Sequence, residues 1–383
     1  MPSRRGFLAG LLAAGALPGA SWADAGSPAY LSAARRADGR FALYGLGGDG
    51  ALLFSLPLPG RGHAAAAHPR RPEAVAFARR PGTFAIVLDC ASGQELTRLT
   101  APPGHHFYGH GAFSADGALL FTTENAFEDA RGMIGIWDAA RGYRRLGGFA
   151  SHGIGPHEIR RLPGQEVLVV ANGGIETHPA SGRAKLNIPT MRPSLAYLDF
   201  GGALLDQVAP ETPLARNSLR HLAICPDGRV AVAAQWQGDM AEAPPLLALH
   251  RRGAALHWLS APEPLHRAMR GYAGSVAATA AAGTAAVAGD SPAAGTTTGA
   301  TTAATSATGQ VAITSPRGGL VQVFDLDGTG YADSWRHADI CGIAPAPRGF
   351  LLTAGTGDVG GIGTDGWSRH PVAWDNHLVP VGT

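Results

Sequence analysis

Three cysteines in 383 residues, none in a CxxC pair, are too few for a disulfide framework or a cysteine-rich metal ribbon. Cys90, Cys225 and Cys341 lie far apart in the chain, and at least one thiol must stay unpaired. Charge is scarce as well. Asp, Glu, Lys and Arg make up 16% of the residues, with a formal net charge of +2. Apart from pairs such as Arg70 and Arg71, basic residues are scattered, so no cationic stripe follows a phosphate backbone and a nucleic-acid partner is excluded. The chain shows no helical apolar stripe and no G-x-S-x-G nucleophile elbow, and beyond its N-terminal leader it has no apolar run long enough to span a bilayer.

Turn residues are abundant. Fifty-four Gly and 28 Pro, together with 45% hydrophobic residues, describe an all-β protein of short strands and many tight turns that still buries a core. His63, His110 and His157 recur at a constant interval of 47 residues, each next to a short apolar strand. A period near 50 built of strands and Gly-rich turns is the mark of a β-propeller, one four-stranded blade per repeat, and about seven blades use up this length in one body.

The repeats begin at His63, His110, His157 and His221, then at a Tyr272 to Ser275 segment without histidine, then at Cys341 and His377. Only a short strand follows His377. The segments Tyr30 to Arg35, Phe41 to Gly45 and Ala51 to Leu56 lack partners, so the seventh blade is expected to combine an innermost C-terminal strand with three N-terminal ones, which removes the open edge. The third strands of blades one, two, three and five end at Asp89, Asp138, Asp199 and Asp325, read as carboxylates accepting backbone N–H groups of the next turn. An Ala/Thr/Gly-rich tract at 277–308 is too poor in large apolar side chains to offset its ordering entropy, and is read as a flexible insertion in the first hairpin of blade five.

At the N-terminus, Ser3-Arg4-Arg5-Gly6-Phe7-Leu8 precedes an apolar run from Ala9 to Leu17 and the small-residue site Ala20-Ser21-Trp22-Ala23. This pattern predicts a twin-arginine signal over residues 1–23, a mature chain starting near Asp24, export in the folded state, and a periplasmic monomer with no membrane span.

One register in every blade points at one ring. His63, His110, His157, His221, Cys341 and His377 are therefore expected at one mouth of the channel as metal ligands. Glu124, Asn125, Asn172, Glu176, His178 and Gln235 are expected on the same face, as polar groups around a ligand. Converging imidazoles suit iron, copper or zinc, with copper favoured by intrinsic affinity. The competing reading is a histidine that serves only its own blade, as in WD-type propellers, for which Gly109-His110 and Trp137-Asp138 have the right look. His105, His106, His152, His250 and His257 read as ordinary turn or surface residues.

Several segments resemble exported propellers catalogued as domain of unknown function 1513. They are Ser3-Arg4-Arg5 with Phe7-Leu8; Gly109-His110 with Phe113-Ser114 and Asp116-Gly117; Gly155-Pro156-His157-Glu158; Ala171-Asn172-Gly173-Gly174-Ile175-Glu176-Thr177-His178-Pro179; and Trp374-Asp375-Asn376-His377. The His-to-Asp-Gly segments alone also look like YVTN-type and lactonase-type propellers. The resemblance implies a place beside periplasmic iron-uptake proteins. The expected function is a propeller binding a transition metal or small ligand, accessory to iron or copper acquisition. Two alternatives stay open: a metal-dependent lactonase-like hydrolase or oxidoreductase with His157 or Glu158 as base, and a protein-interaction platform without metal.

Overall fold

The computed structural model describes residues 20–79, 82–182, 184–280, 309–328, 330–364 and 366–381. The segment expected to be a twin-arginine signal, 1–23, lies outside the described residues except for 20–23, as does most of the tract at 277–308. The chain forms seven antiparallel sheets, each a blade. Six have four strands in sequence order. Their first strands are Gly62–Ala67, His105–Phe113, Pro156–Arg161, Asn217–Ile224, Ser275–Thr279 and Ile340–Ala346, and these pack against one another around the axis.

The seventh blade closes the ring as its sequence implies, with one difference. Its innermost strand is split into Val372–Trp374 and Val379–Pro380, both paired with Tyr30–Arg36, and His377 lies in the break between them. The strands Phe41–Leu46 and Leu52–Leu58 complete the sheet.

Strand composition follows the layering. Inner and second strands are covered on both faces by neighbouring blades, and Val167–Asn172 is buried throughout. The outermost strand Arg144–Ala150 alternates between exposed and half-buried residues, the period of a strand with one wet face. Between each pair of adjacent blades lies one apolar layer. Phe77 with Phe107 and Trp137 joins blades one and two, Phe324 with Leu249 joins four and five, and Tyr44 with Leu351 and Trp374 joins six and seven.

Turn chemistry matches the expectation at Asp89, Asp138 and Asp199. Asp89 accepts from the backbone of Ala91 and Ser92, Asp138 from Arg141, and Asp199 from Gly201 and Ala203. Asp325 accepts from the side chain of Gln310. The low-complexity boundary also shifts, because Ala277 to Thr279 are strand, paired with Ala312 to Gln310. No helix among the described residues is long and apolar enough to cross a membrane.

Trp374 joins the closing strand to two blades, stacking edge-on against Tyr44 at 5.4 Å between ring centroids and donating its indole N–H to the Gly357 carbonyl. Trp374→Ala is expected to destabilise the fold by about 3–5 kcal/mol, the range for a buried large aromatic, measured by denaturant titration. A loss under about 1 kcal/mol would show that the closing strand adds little to the ring.

Candidate metal centre

Four innermost strands carry a histidine, and in each the ladder register slips beside it. The shifts lie between Gly62 and Ala65, between Phe107 and Gly111, between Pro156 and Glu158, and between Leu219 and His221. A β-bulge inserts an extra residue and re-aims its side chain. The first two strands of blade five pair with no such slip, and that blade has no histidine in this register. Gly109 is required at the second bulge, because its φ is +106° and a Cβ there would stand 2.5 Å from Cδ2 of the His63 ring.

The result is a cluster of five imidazoles on the axis, four of them buried and that of His157 half-buried. His63 lies 4.9 Å from His110 and 4.6 Å from His377 between ring centroids, His157 lies 4.7 Å from His221, and His221 lies 4.8 Å from His377. His110 Nε2 approaches His63 Nε2 to 3.3 Å. Two donor sets have all their ligand atoms within 4.8 Å of one another: His110, Glu158, His221 and His377, and His63, His110 and His157. His110 belongs to both.

Glu158 anchors the cluster from blade three. Its carboxylate is buried, lies 3.1 Å from His221 Nδ1 and 3.9 Å from His110 Nδ1, and accepts from Arg160 Nε at 2.7 Å. Burial pushes this carboxyl up, but Arg160, His110 and His221 together hold it well below the usual carboxylate range. Burial lowers all five imidazoles, and for His63 the neighbouring His377, Arg79, His221 and Arg61 add to it. The rings are therefore neutral, the form that binds metal. Nδ1 of His63, Nδ1 of His157 and Nε2 of His377 are buried with no hydrogen-bond partner. Such orphans normally mark an unmade interaction, since an unsatisfied buried polar group costs about 1–3 kcal/mol.

The cluster lies between two cavities that share no lining residue. A vestibule of about 400 Å³ on one side is lined by His63, His157, His221, Tyr272 and Asn376, among others. On the other side lies a more apolar funnel of about 420 Å³, lined by Ala65, Ala112, Phe113, Ala223, Val276 and Leu378, among others. His110 and His377 line neither cavity, and Asn376, His377 and Leu378 pass in sequence from one side to the other.

Five of the six expected ring residues thus come together, and Cys341 does not. It sits at the same kind of bulge, but its thiol faces the carbonyls of Thr353, Trp374 and Asp375 at 3.4 to 3.6 Å, inside the layer between blades six and seven. Burial pushes that thiol up to about 12, away from the thiolate form a metal needs. All three cysteines are free and buried.

The expected polar face also divides. Gln235 lines the vestibule. Glu124 is turned into its own blade, bonded to Arg145 and Thr122, and Thr122 also takes the Trp137 indole N–H. The intrablade tryptophan network therefore exists but does not use His110. Asn125 bonds His106 and the Thr177 carbonyl, and Asn172 bonds Ser151 and Ser194. Glu176 is tied through its backbone N–H to Asn187, and His178 packs against Phe127. His106 and His250 are buried, not surface residues, and His250 Nδ1 meets the Tyr197 hydroxyl at 2.8 Å.

Sequence reasoning took Glu158 only as a flanking candidate base and overlooked the vestibule cations. Arg61 and Arg220 stand two residues and one residue before a cluster histidine, and that adjacency was the available signal.

Seven blades around a buried imidazole and carboxylate septum define a β-propeller with a candidate metal or ligand centre on its axis. The chain belongs to the family described as Protein of unknown function (DUF1513), whose sequence profile matches residues 56–304 and 297–381. Curated protein sequences give no match. Among solved structures, the chain is similar to one titled Kuenenia stuttgartiensis Hydrazine Synthase, at 13% identity and a TM-score of 0.57 over 90% of this chain and 95% of that one. At that identity the likeness is one of fold.

Two measurements probe this arrangement. Each imidazole has its folded pKa below the ordinary 6.5, so below that pH the unfolded chain binds protons that the folded one does not. Stability from the cluster is complete above pH 6.5 and is lost as pH falls below it. The Tm of metal-free protein should be level between about pH 7 and 8 and fall steeply toward about pH 5; a flat profile would mean the rings are not buried and neutral. Gly109→Ala should cost about 1–3 kcal/mol in denaturant titration, through backbone strain and displacement of His63, and an unchanged midpoint would contradict the close approach.

Proposed function

We propose that this protein holds a transition-metal ion at the axial septum, with donors drawn from His63, His110, His157, His221, His377 and Glu158, and that it serves iron or copper handling in the periplasm. The observation that carries the reading is the set of three buried imidazole nitrogens without hydrogen-bond partners, on histidines that belong to two groups of close donor residues. A set of neutral imidazoles with one carboxylate suits Cu, Fe or Zn, and intrinsic affinity ranks copper first among them. Two donors sharing one ion at about 2.1 Å stand at most about 4.2 Å apart, so sets within 4.8 Å need only small side-chain adjustments to close on an ion. Where Glu158 is not itself a donor, it is held by Arg160 and orients the His221 ring as an outer carboxylate does for a ligating imidazole. Export of the folded chain by the twin-arginine signal at 1–23 accords with a centre filled before transport.

The vestibule supports a second reading, a metal-dependent hydrolase or oxidoreductase, because it leaves His63, His157 and His221 within reach of a substrate. Glu158 is then the poorer base, since Arg160 and two histidines stabilise its ionised form, and His157 takes that role. The reading of a metal-free interaction platform is less well supported, since nothing in it accounts for the unpartnered imidazoles.

Elemental analysis of protein exported by its own signal tests the proposal. About one equivalent of metal is expected, with affinity falling more than about 100-fold in His110→Ala and His377→Ala, beyond the loss typical of an outer partner. Cys341→Ala should retain the metal. Metal content that is nil, or indifferent to both histidine substitutions, would overturn the reading, while turnover of a lactone or a phenolic dye by the loaded protein would favour the enzymatic one.

A further inference from the structure

The vestibule above the imidazoles is cationic far beyond the average of the chain. Arg61, Arg79, Lys185, Arg220 and Arg317 line it, against one lining carboxylate, Asp339. A second carboxylate, Asp375, lies buried behind the wall and is shared by Arg61 Nε at 2.7 Å and Arg79 Nη1 at 2.6 Å. These five cations come from blades one, three, four and five, Arg220 from an innermost strand and the others from outside the strands, so the ring closure, not a local run, assembles them. Burial and the neighbouring Arg220 and Arg317 push the Lys185 amine down, a sign that like charges are crowded here without enough counter-charge.

The remaining wall adds polar groups that can donate. Tyr108 and Thr177 share a hydrogen bond at 3.0 Å, and Tyr272 accepts from Asn376 at 3.2 Å while Arg317 stacks over its ring at 4.4 Å. The field of these cations also reaches the septum, where it disfavours the charged form of the imidazoles. It would equally oppose a lone metal cation. An anion in the vestibule relieves both the crowding and that opposition.

We propose that the vestibule is a binding site for a small polyanion, a molecule carrying two or more carboxylate or phosphate groups, seated over the imidazole septum and clamped by Arg61, Arg79, Arg220, Arg317 and Lys185. Guanidinium forks from several directions suit planar carboxylates and phosphate oxygens alike. The site stands on its own charge and shape and needs no metal beneath it. Where a metal is present, the anion offsets the positive field and can supply a further oxygen donor to it.

The test uses the full exported protein stripped of metal, titrated calorimetrically with citrate as the carboxylate probe and pyrophosphate as the phosphate probe. A Kd of about 1 mM or tighter is expected for at least one of them, weakening with added salt as a charge-driven site must. The probe that binds more tightly tells which chemistry the site selects. Arg317 and Lys185 are exposed side chains, so Arg317→Gln combined with Lys185→Gln leaves the fold intact and should weaken binding at least about tenfold. Arg144→Gln, on the exposed outer strand of blade two, should leave it unchanged. No binding of either probe, or equal losses in the double variant and in Arg144→Gln, would overturn the proposal. His110→Ala should keep the anion while losing any metal, so the metal centre and the anion site succeed or fail separately.

Discussion

Ring closure is the constraint on which the rest depends. Hydrogen bonds from Tyr30–Arg36 to two short C-terminal strands, through the pairs Ala34 with Trp374 and Leu31 with Val379, join the chain ends in one blade. They also fix Asp375 to Leu378 on the axis. Asp375 gathers Arg61 and Arg79, Asn376 reaches Tyr272, and His377 meets the rings of His63, His110 and His221. Four consecutive residues thus serve the vestibule wall, the septum and the funnel. The break in the strand is what allows it, since a continuous ladder would hold His377 in the sheet.

The centre balances opposing electrostatic effects. Five imidazoles fit together because burial keeps them neutral; a protonated set at these distances would repel itself apart. One carboxylate, Glu158, is tolerated there because Arg160 pairs with it and the His221 ring meets it at 3.1 Å. The cost is carried by the interblade layers, each an apolar contact between neighbouring sheets, which supply the stability that a polar axis does not.

Much of this was legible in the chain. The spacing of His63, His110 and His157 gave the architecture because every blade repeats the same strand order, and a residue in one register of a closed ring must face the axis or its own sheet. Which of the two it faces was not legible. His110 and Cys341 share the register and a bulge, yet the imidazole reaches inward while the shorter, apolar thiol settles among backbone carbonyls. Contacts between blades were also hidden. Glu158 meets His221 across 63 residues of sequence, and no local pattern predicts such a pair. The vestibule is hidden for the same reason, because its cations are diluted in a chain of net charge +2 and concentrate only when separate blades converge.

The two cavities share no lining residue, and the septum between them is built of packed rings and the Asn376 to Leu378 backbone. His63, His157 and His221 line the arginine-rich cavity and not the other one. A guest seated at the proposed anion site would therefore cover them, and the lifetime of anything held beneath would be set by the departure of that guest as much as by the ligand bonds themselves.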